Sequence, residues 1–128
     1  MRIHQITLLV LLIFNTLTSQ SQNANISAGL VFDGEPYLVV NPSNTNHLVV
    51  AWMGFQLGQN LVIKTKTSFD GGNSWSSSIS IPHIGAGHTS ADPSLAFDHI
   101  GDLFLCFVDY NPTTGSAGSV EVVKSSDG

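Results

Sequence analysis

Runs of apolar and β-branched residues, separated by turn sequences, predict strands along most of this chain. Four such runs follow one another between residues 35 and 81: EPYLVV, HLVVAWMG, NLVIKTKTS and WSSSISI. Asn-Pro, Gly-Gln-Asn and Asp-Gly-Gly sequences between them are typical of turns. LVIKTKT alternates as a half-exposed strand does, whereas LVVAW and the later LFLCFV are continuous and predict strands covered on both faces. No segment after residue 21 has helical periodicity with caps at both ends, so we predict an all-β fold.

The same pattern occurs nearly twice. A spacing of 57 residues separates Asp70 from Asp127 and also carries Glu35-Pro36 onto Asp92-Pro93. After a two-residue gap, NHLVVAWMG aligns with GDLFLCFVD, and the strand-like segments IKTKTS and VEVVKS precede the two aspartates. Three matches in one order indicate an internal repeat.

A four-stranded antiparallel unit repeated at this interval is typical of a β-propeller blade, whose faces are buried by neighbouring blades. We predict a first blade at about residues 30–85 and an incomplete second blade at about residues 90–128. Because a propeller closes with about 4 to 8 blades, residues 22–128 are expected to be an N-terminal fragment of a longer propeller. The remaining blades are then its first expected partner.

The sequence SFDGGNSW, residues 68–75, carries the chemistry of a turn. Its aspartate and serines can accept hydrogen bonds from backbone amides, and its glycines tolerate positive φ. A residue that performs one chemical step is needed once, but this motif begins again near the C-terminus, so we interpret it as architectural. The residues assigned to it are Ser68, Asp70, Gly72, Ser74, Trp75, Ser125 and Asp127.

At its fixed positions this motif resembles the Asp-box, or bacterial neuraminidase repeat. The segments EPYLVVNPSNTNHLVVAW and ADPSLAFDHIGDLFL also resemble exported sialidase-like propeller proteins. The resemblance implies that the motif is the turn between the third and fourth strands of a blade. It also implies three arginines that hold the sialic acid carboxylate and a tyrosine nucleophile activated by a glutamate. Arg2 is the only arginine in this sequence, and Tyr37 and Tyr110 match no motif that would give them this role.

The N-terminal residues 1–21 predict a secretory signal peptide. Arg2 supplies a positive start, a short apolar run follows, and Ser19 and Ser21 place small residues before a cleavage point near Gln22. The apolar run is shorter than the roughly 20 residues that a membrane span needs. We therefore expect secretion to the periplasm, cell surface or medium, with no membrane span. Cys106, the only cysteine, lies in LFLCFV and is expected to pack as a small hydrophobic residue.

The charge balance excludes one class of partner. Nine acidic and four basic residues give a net charge of -5, and Lys64, Lys66 and Lys124 form no basic stripe. Nucleic acid and anionic membranes are therefore not expected to bind.

Two acidic residues are the only candidates for catalysis. Glu35 and Asp92 each open the first strand of a unit, which lines the central channel in propellers, and paired carboxylates can perform acid-base chemistry on a glycoside. Both also recur before a proline that favours an extended backbone, which favours a structural role.

Several histidines and acids close together in the sequence are candidate metal ligands. The histidines and acids of residues 83–102 could bind zinc, but their intervals fit no established pattern, so we expect neither a metal nor a cofactor. These residues are His83, His88, Asp92, Asp98, His99 and Asp102. A polar loop and a glycine-containing hairpin turn at DHIGD are the favoured interpretation.

Three functions remain open at this point. The first is a binding or scaffold module for glycans or other surface polymers, without a catalytic site of its own. The second is the N-terminal part of an exo-alpha-sialidase-like glycoside hydrolase whose catalytic residues lie in missing blades. The third is an inactive remnant.

Overall fold

The computed structural model describes residues 23–29, 31–58, 60–115 and 118–127. Within these ranges the chain contains seven strands and no helix, and the all-β prediction is confirmed. No helix long and apolar enough to cross a membrane occurs in the part described. The predicted signal peptide at residues 1–21 lies outside the described residues.

The strands form two antiparallel sheets. Sheet 1 has the order β1-β2-β3-β4 and sheet 2 the order β5-β6-β7. Their bounds are Asp33–Asn41 (β1), Asn44–Phe55 (β2), Leu61–Ser68 (β3), Ile79–Ser80 (β4), Thr89–Phe97 (β5), Leu103–Tyr110 (β6) and Ser119–Ser125 (β7).

The predicted fourth strand WSSSISI is wrong in its length. Only Ile79 and Ser80 pair with β3, opposite Thr65 and Lys64. Ser76, near the start of the segment, makes two hydrogen bonds with Thr67. Its N–H donates to the Thr67 carbonyl at 2.9 Å, and its Oγ accepts the Thr67 N–H at 3.0 Å. Serine hydroxyls compete for backbone groups in this way, so the serine-rich start of the segment is a turn extension and not a strand.

The two sheets are the same structure residue by residue. Leu38 pairs with Val50 in sheet 1, and their repeat equivalents Leu95 and Leu105 pair in sheet 2. The match continues into the next ladder, where Leu48 faces Ser68 and Leu103 faces Ser125. The register shifts recur as well, between Gly34 and Tyr37 and between Ala91 and Ser94.

We call the two faces of each sheet front and back, according to the residues they carry. The front face is Val49, Ala51, Met53 and Ile63 in sheet 1 and Phe104, Cys106, Val108 and Val120 in sheet 2. The back face is Leu38, Val40, Leu48, Val50 and Trp52 in sheet 1 and Leu95, Phe97, Leu103, Leu105 and Phe107 in sheet 2.

The hydrophobic core forms where the front face of sheet 1 packs against the back face of sheet 2. Its buried members are Val49, Ala51, Met53, Ile63, Leu95, Leu103, Leu105 and Phe107. Backbone contact between the sheets is made by β5, which lies against β1, β2 and β3. Non-equivalent faces therefore meet, which makes the stacking head-to-tail. A two-fold sandwich would instead bring equivalent faces together.

The turns divide between the two ends of the sheets. The end where β1 and β5 begin, here called the upper end, also holds the β2–β3 loop and the segment 81–88 that joins the sheets. The lower end holds the turn after Ser68 and the predicted hairpin turn at 98–102. There the Asp98 carboxylate accepts the N–H groups of Ile100 and Asp102 at 3.0 and 2.9 Å.

Candidate functional site

Glu35 and Asp92 both lie on β-bulges at the upper end. Their backbones have positive φ values of 52° and 56°, and the two register shifts leave each of them, with the proline that follows, unpaired in the ladder. A bulge suits proline because it has no N–H to donate. Positive φ strains a side-chain-bearing residue, and such strain concentrates at functional sites.

The bulges bring the two carboxyl groups together across the sheet interface. The pKa of Glu35 is raised above its ordinary value, first because its side chain hydrogen-bonds Asp92, and then because of desolvation and the nearby Asp92 charge. The neighbouring Asp92 therefore favours the protonated form of Glu35. A carboxyl beside a carboxylate presents both a hydrogen-bond donor and acceptors.

A cleft of about 250 Å³ opens on the back face of sheet 1 and is lined by both chain neighbours of Glu35. Gly34 and Pro36, the neighbours of Glu35, form one wall, and residues 24–27 form the other. Trp52 lies at the bottom, where its indole Nε1–H donates to the Asp33 carboxylate at 2.9 Å. The cleft is thus largely apolar, and Asp33 is the one acidic residue among those that line it.

A second polar cluster, which sequence reasoning missed, surrounds Asp109 on β6. This carboxylate is fully buried and accepts from Ser90 Oγ at 2.9 Å, from His83 Nδ1 at 2.9 Å and from His88 Nδ1. Burial alone would raise the pKa of Asp109, but the hydrogen bonds from His83, His88 and Ser90 lower it below its ordinary value. The carboxylate thereby holds the segment 81–88 against sheet 2.

A wider cleft of about 630 Å³ lies over this segment, also at the upper end. Asn60 of the β2–β3 loop donates its Nδ2 hydrogens to the carbonyls of Gly87 and His88 at 2.8 and 3.0 Å. His83 and His88 line the cleft, and Nε2 of His83 is buried without a hydrogen-bond partner. Two clefts therefore open at the upper end of the described chain. One lies over Trp52 and the other over His83 and His88.

The motif SFDGGNSW forms a compact turn at the lower end, between β3 and β4. Asp70 Oδ1 accepts from Ser68 Oγ and from the Ser74 N–H, both at 2.8 Å, and Asp70 Oδ2 accepts from Ser74 Oγ at 2.5 Å. The Ser68 hydroxyl accepts the Gly72 N–H at 2.9 Å, and Trp75 Nε1–H donates to the Gly72 carbonyl at 3.2 Å. The hydrogen bonds to the Asp70 carboxylate, first those from Ser74 and then that from Ser68, lower the pKa of Asp70 to about 2.

The same geometry starts again after β7. Ser125 Oγ donates to the Asp127 carboxylate at 2.8 Å, and the Asp127 N–H donates back at 3.4 Å. Gly128, the next member of the motif, lies outside the described residues. All of these motif residues stand at the end of the sheets away from Glu35 and Asp92, where they act on the turn.

The six candidate metal ligands do not form one cluster. Asp92 meets Glu35, the histidines at 83 and 88 meet Asp109, and the group 98–102 lies at the opposite end. Within the described ranges no set of three or more His, Cys, Asp or Glu side chains is arranged to hold a metal ion.

No protein-family model and no curated protein sequence matches this chain.

Proposed function

We propose that this chain is part of an exported Asp-box β-propeller of the sialidase-like kind and that it binds glycans through Glu35 and Asp92. In this proposal sheet 1 is one blade, sheet 2 is most of the next, and β1 and β5 line the central channel. The chain has no complete catalytic site of its own. The meeting of the two carboxyl groups at the upper end carries the proposal.

The head-to-tail stacking supports the propeller. Several equivalent positions differ in burial because another sheet covers one of them and not the other. Ile63 is 0% exposed and its equivalent Val120 is 70% exposed, while Leu95 is 3% and its equivalent Leu38 is 48% exposed. Apolar faces of this kind mark surfaces that another sheet covers, as neighbouring blades do in a propeller.

The chemistry at the upper end favours a neutral, hydroxyl-rich ligand. A hydroxyl both donates and accepts hydrogen bonds, and the Glu35 and Asp92 pair offers both partners. The neighbouring cleft over Trp52 supplies apolar surface for the faces of sugar rings. With nine acids against four bases in the whole sequence, an anionic ligand would be repelled.

Binding of neutral oligosaccharides to the secreted chain tests this proposal. We expect saturable binding by calorimetry, and loss of at least about tenfold in affinity in the double variant Glu35→Gln with Asp92→Asn, as losing hydrogen bonds to charged groups predicts. Glu121→Gln, a change of the same chemistry on β7, is the matched control and should bind as the original chain does. Equal binding by the double variant and the original would overturn the role of the pair.

A glycoside hydrolase is the second candidate, and one observation favours it. A carboxyl with a raised pKa beside another acid is the pairing that glycosidases use as acid and base. An arginine clamp for sialic acid would have to come from other blades, since Arg2 is the only arginine here. We expect the secreted chain to release no fluorophore from a sialic acid glycoside, and turnover above a buffer blank would contradict the assignment to binding.

A further inference from the structure

We propose that a second copy of this chain docks head-to-tail, with the front face of sheet 2 in one copy covering the back face of β1 in the next. This inference rests on the sheet stacking used in the proposed function and names the partner. It concerns surfaces at Leu38, Val40, Val120 and Val122, which the glycan site does not include.

The chain itself contains this contact once. The front face of sheet 1 already packs on the back face of sheet 2, and the contact is made by β5. The front face of sheet 2 and the β1 part of the back face of sheet 1 are open, and both are repeat equivalents of surfaces that pack in the internal contact. One copy therefore offers to another the equivalents of the β3 and β5 surfaces that meet inside the chain.

The open surfaces are apolar where the internal contact is apolar. Val120 and Val122 on β7 are exposed and correspond to Ile63 and Thr65 on β3, which face sheet 2. On the other face, Leu38 and Val40 of β1 are exposed and correspond to Leu95 and Phe97 of β5.

The chain's own N-terminal segment covers only part of this surface. Residues 24–27 lie over Val50 and Trp52 on β2, where Lys66 Nζ also donates to the Ile26 carbonyl at 2.8 Å. Leu38 and Val40 lie on the neighbouring edge strand β1 and stay exposed. The internal contact takes its backbone contacts from β5, the equivalent of β1, and also buries Leu105 and Phe107 of β6. Their equivalents Val50 and Trp52 are already covered, so the docked copy meets the back face at β1.

Head-to-tail contact differs from a two-fold dimer in a way that two variants reveal. Val120→Glu damages the front face only, and Leu38→Lys damages the back face only. Each variant alone can make no head-to-tail contact and should sediment as a monomer. An equimolar mixture keeps one intact front face and one intact back face, so it should form dimers that grow no further.

Sedimentation velocity at increasing concentration measures all of these states. The original chain should form species larger than a dimer, as rings or open chains of copies. Leu57→Glu, at a still more exposed position on the β2–β3 loop, should behave identically. The single thiol of Cys106 lies on the front face of sheet 2, so its labelling rate should fall as the original chain associates. Both chosen positions are exposed, so their substitution spares the fold.

A monomeric original chain at every concentration, or association that neither variant reduces, would overturn the inference. Self-association of each variant alone would also overturn the inference, because such association requires a two-fold contact. The glycan assay on the monomeric Val120→Glu variant separates the two proposals. If Val120→Glu binds glycan and the original chain does not self-associate, the proposed function stands and the docking fails. If the original chain self-associates and Val120→Glu binds no glycan, the docking stands and the proposed function fails.

Discussion

At the scale of single residues, the least replaceable side chain is that of Asp109. It is the only acid among the described residues with no exposed side-chain surface and three side-chain donors around it. A buried carboxylate is tolerated only when its hydrogen bonds are complete, and removing the charge leaves the facing donors without an acceptor.

Asp109→Asn should therefore destabilise the fold by about 3–5 kcal/mol, the cost of removing one partner of a buried charged pair. The amide also turns an NH₂ group toward the histidine and serine donors. Asp102→Asn is the control, because that carboxylate pairs with the half-exposed Lys124, and such a surface pair contributes about 0–1 kcal/mol. Urea unfolding followed by circular dichroism measures both, and equal midpoints for the two variants would contradict the role of Asp109.

Asp70 gives the fold a dependence on acid pH. Its pKa is lowered from 3.8 to about 2 by the bonds from Ser74 and Ser68. A carboxyl with a lowered pKa in the folded state stabilises the fold above its unfolded pKa, and this contribution is lost as the pH falls through the folded pKa.

The melting temperature should accordingly fall as the pH drops from about 4 to about 2, and Asp70→Asn should flatten this part of the profile while lowering the plateau above it. Asp127→Asn, at the equivalent position after β7, is the matched control. Thermal melts at a series of pH values give the comparison. An undiminished slope in Asp70→Asn would show that other carboxyls cause the acid transition.

At the scale of elements, the sequence predicts well the features that occur in both repeats. The 57-residue repeat placed the strands and the paired acids, and the turn motif carried its own hydrogen-bonding groups. Asp109 was missed because its repeat equivalent is Gly54 and its partners stand 19 to 26 positions away. The fourth strand was overestimated because alternation alone does not show that the Ser76 hydroxyl takes the place of a backbone partner for Thr67.

The bulge is the element on which strain and binding coincide. Glu35 holds a positive φ that glycine adopts without strain and alanine does not. Glu35→Gly should therefore melt at a higher temperature than Glu35→Ala, although both remove the same carboxyl and both should lose glycan binding. Differential scanning fluorimetry compares them, and an equal or lower melting temperature for the glycine variant would show that the bulge is not strained.

At the scale of the whole molecule, the two sheets share one core and neither closes a core by itself. Val49, Ala51 and Met53 of sheet 1 are buried by the side chains of sheet 2. The strands within each sheet are joined by hydrogen bonds, but the apolar surface is removed from water only when the sheets stack. Unfolding is therefore expected to be a single cooperative transition of both sheets.

Phe107→Ala tests this coupling, because Phe107 belongs to sheet 2 and is buried against sheet 1. The cavity should cost about 3–5 kcal/mol. The two tryptophans of the chain, Trp52 and Trp75, are both in or next to sheet 1, so their fluorescence should report a lower midpoint although the substitution is in sheet 2. Val122→Ala, on the open front face, should change the midpoint by no more than about 0.5 kcal/mol. If fluorescence kept its original midpoint while circular dichroism showed an earlier loss of strand structure, the sheets would unfold independently, and the stacked core could not be what holds the upper-end site together.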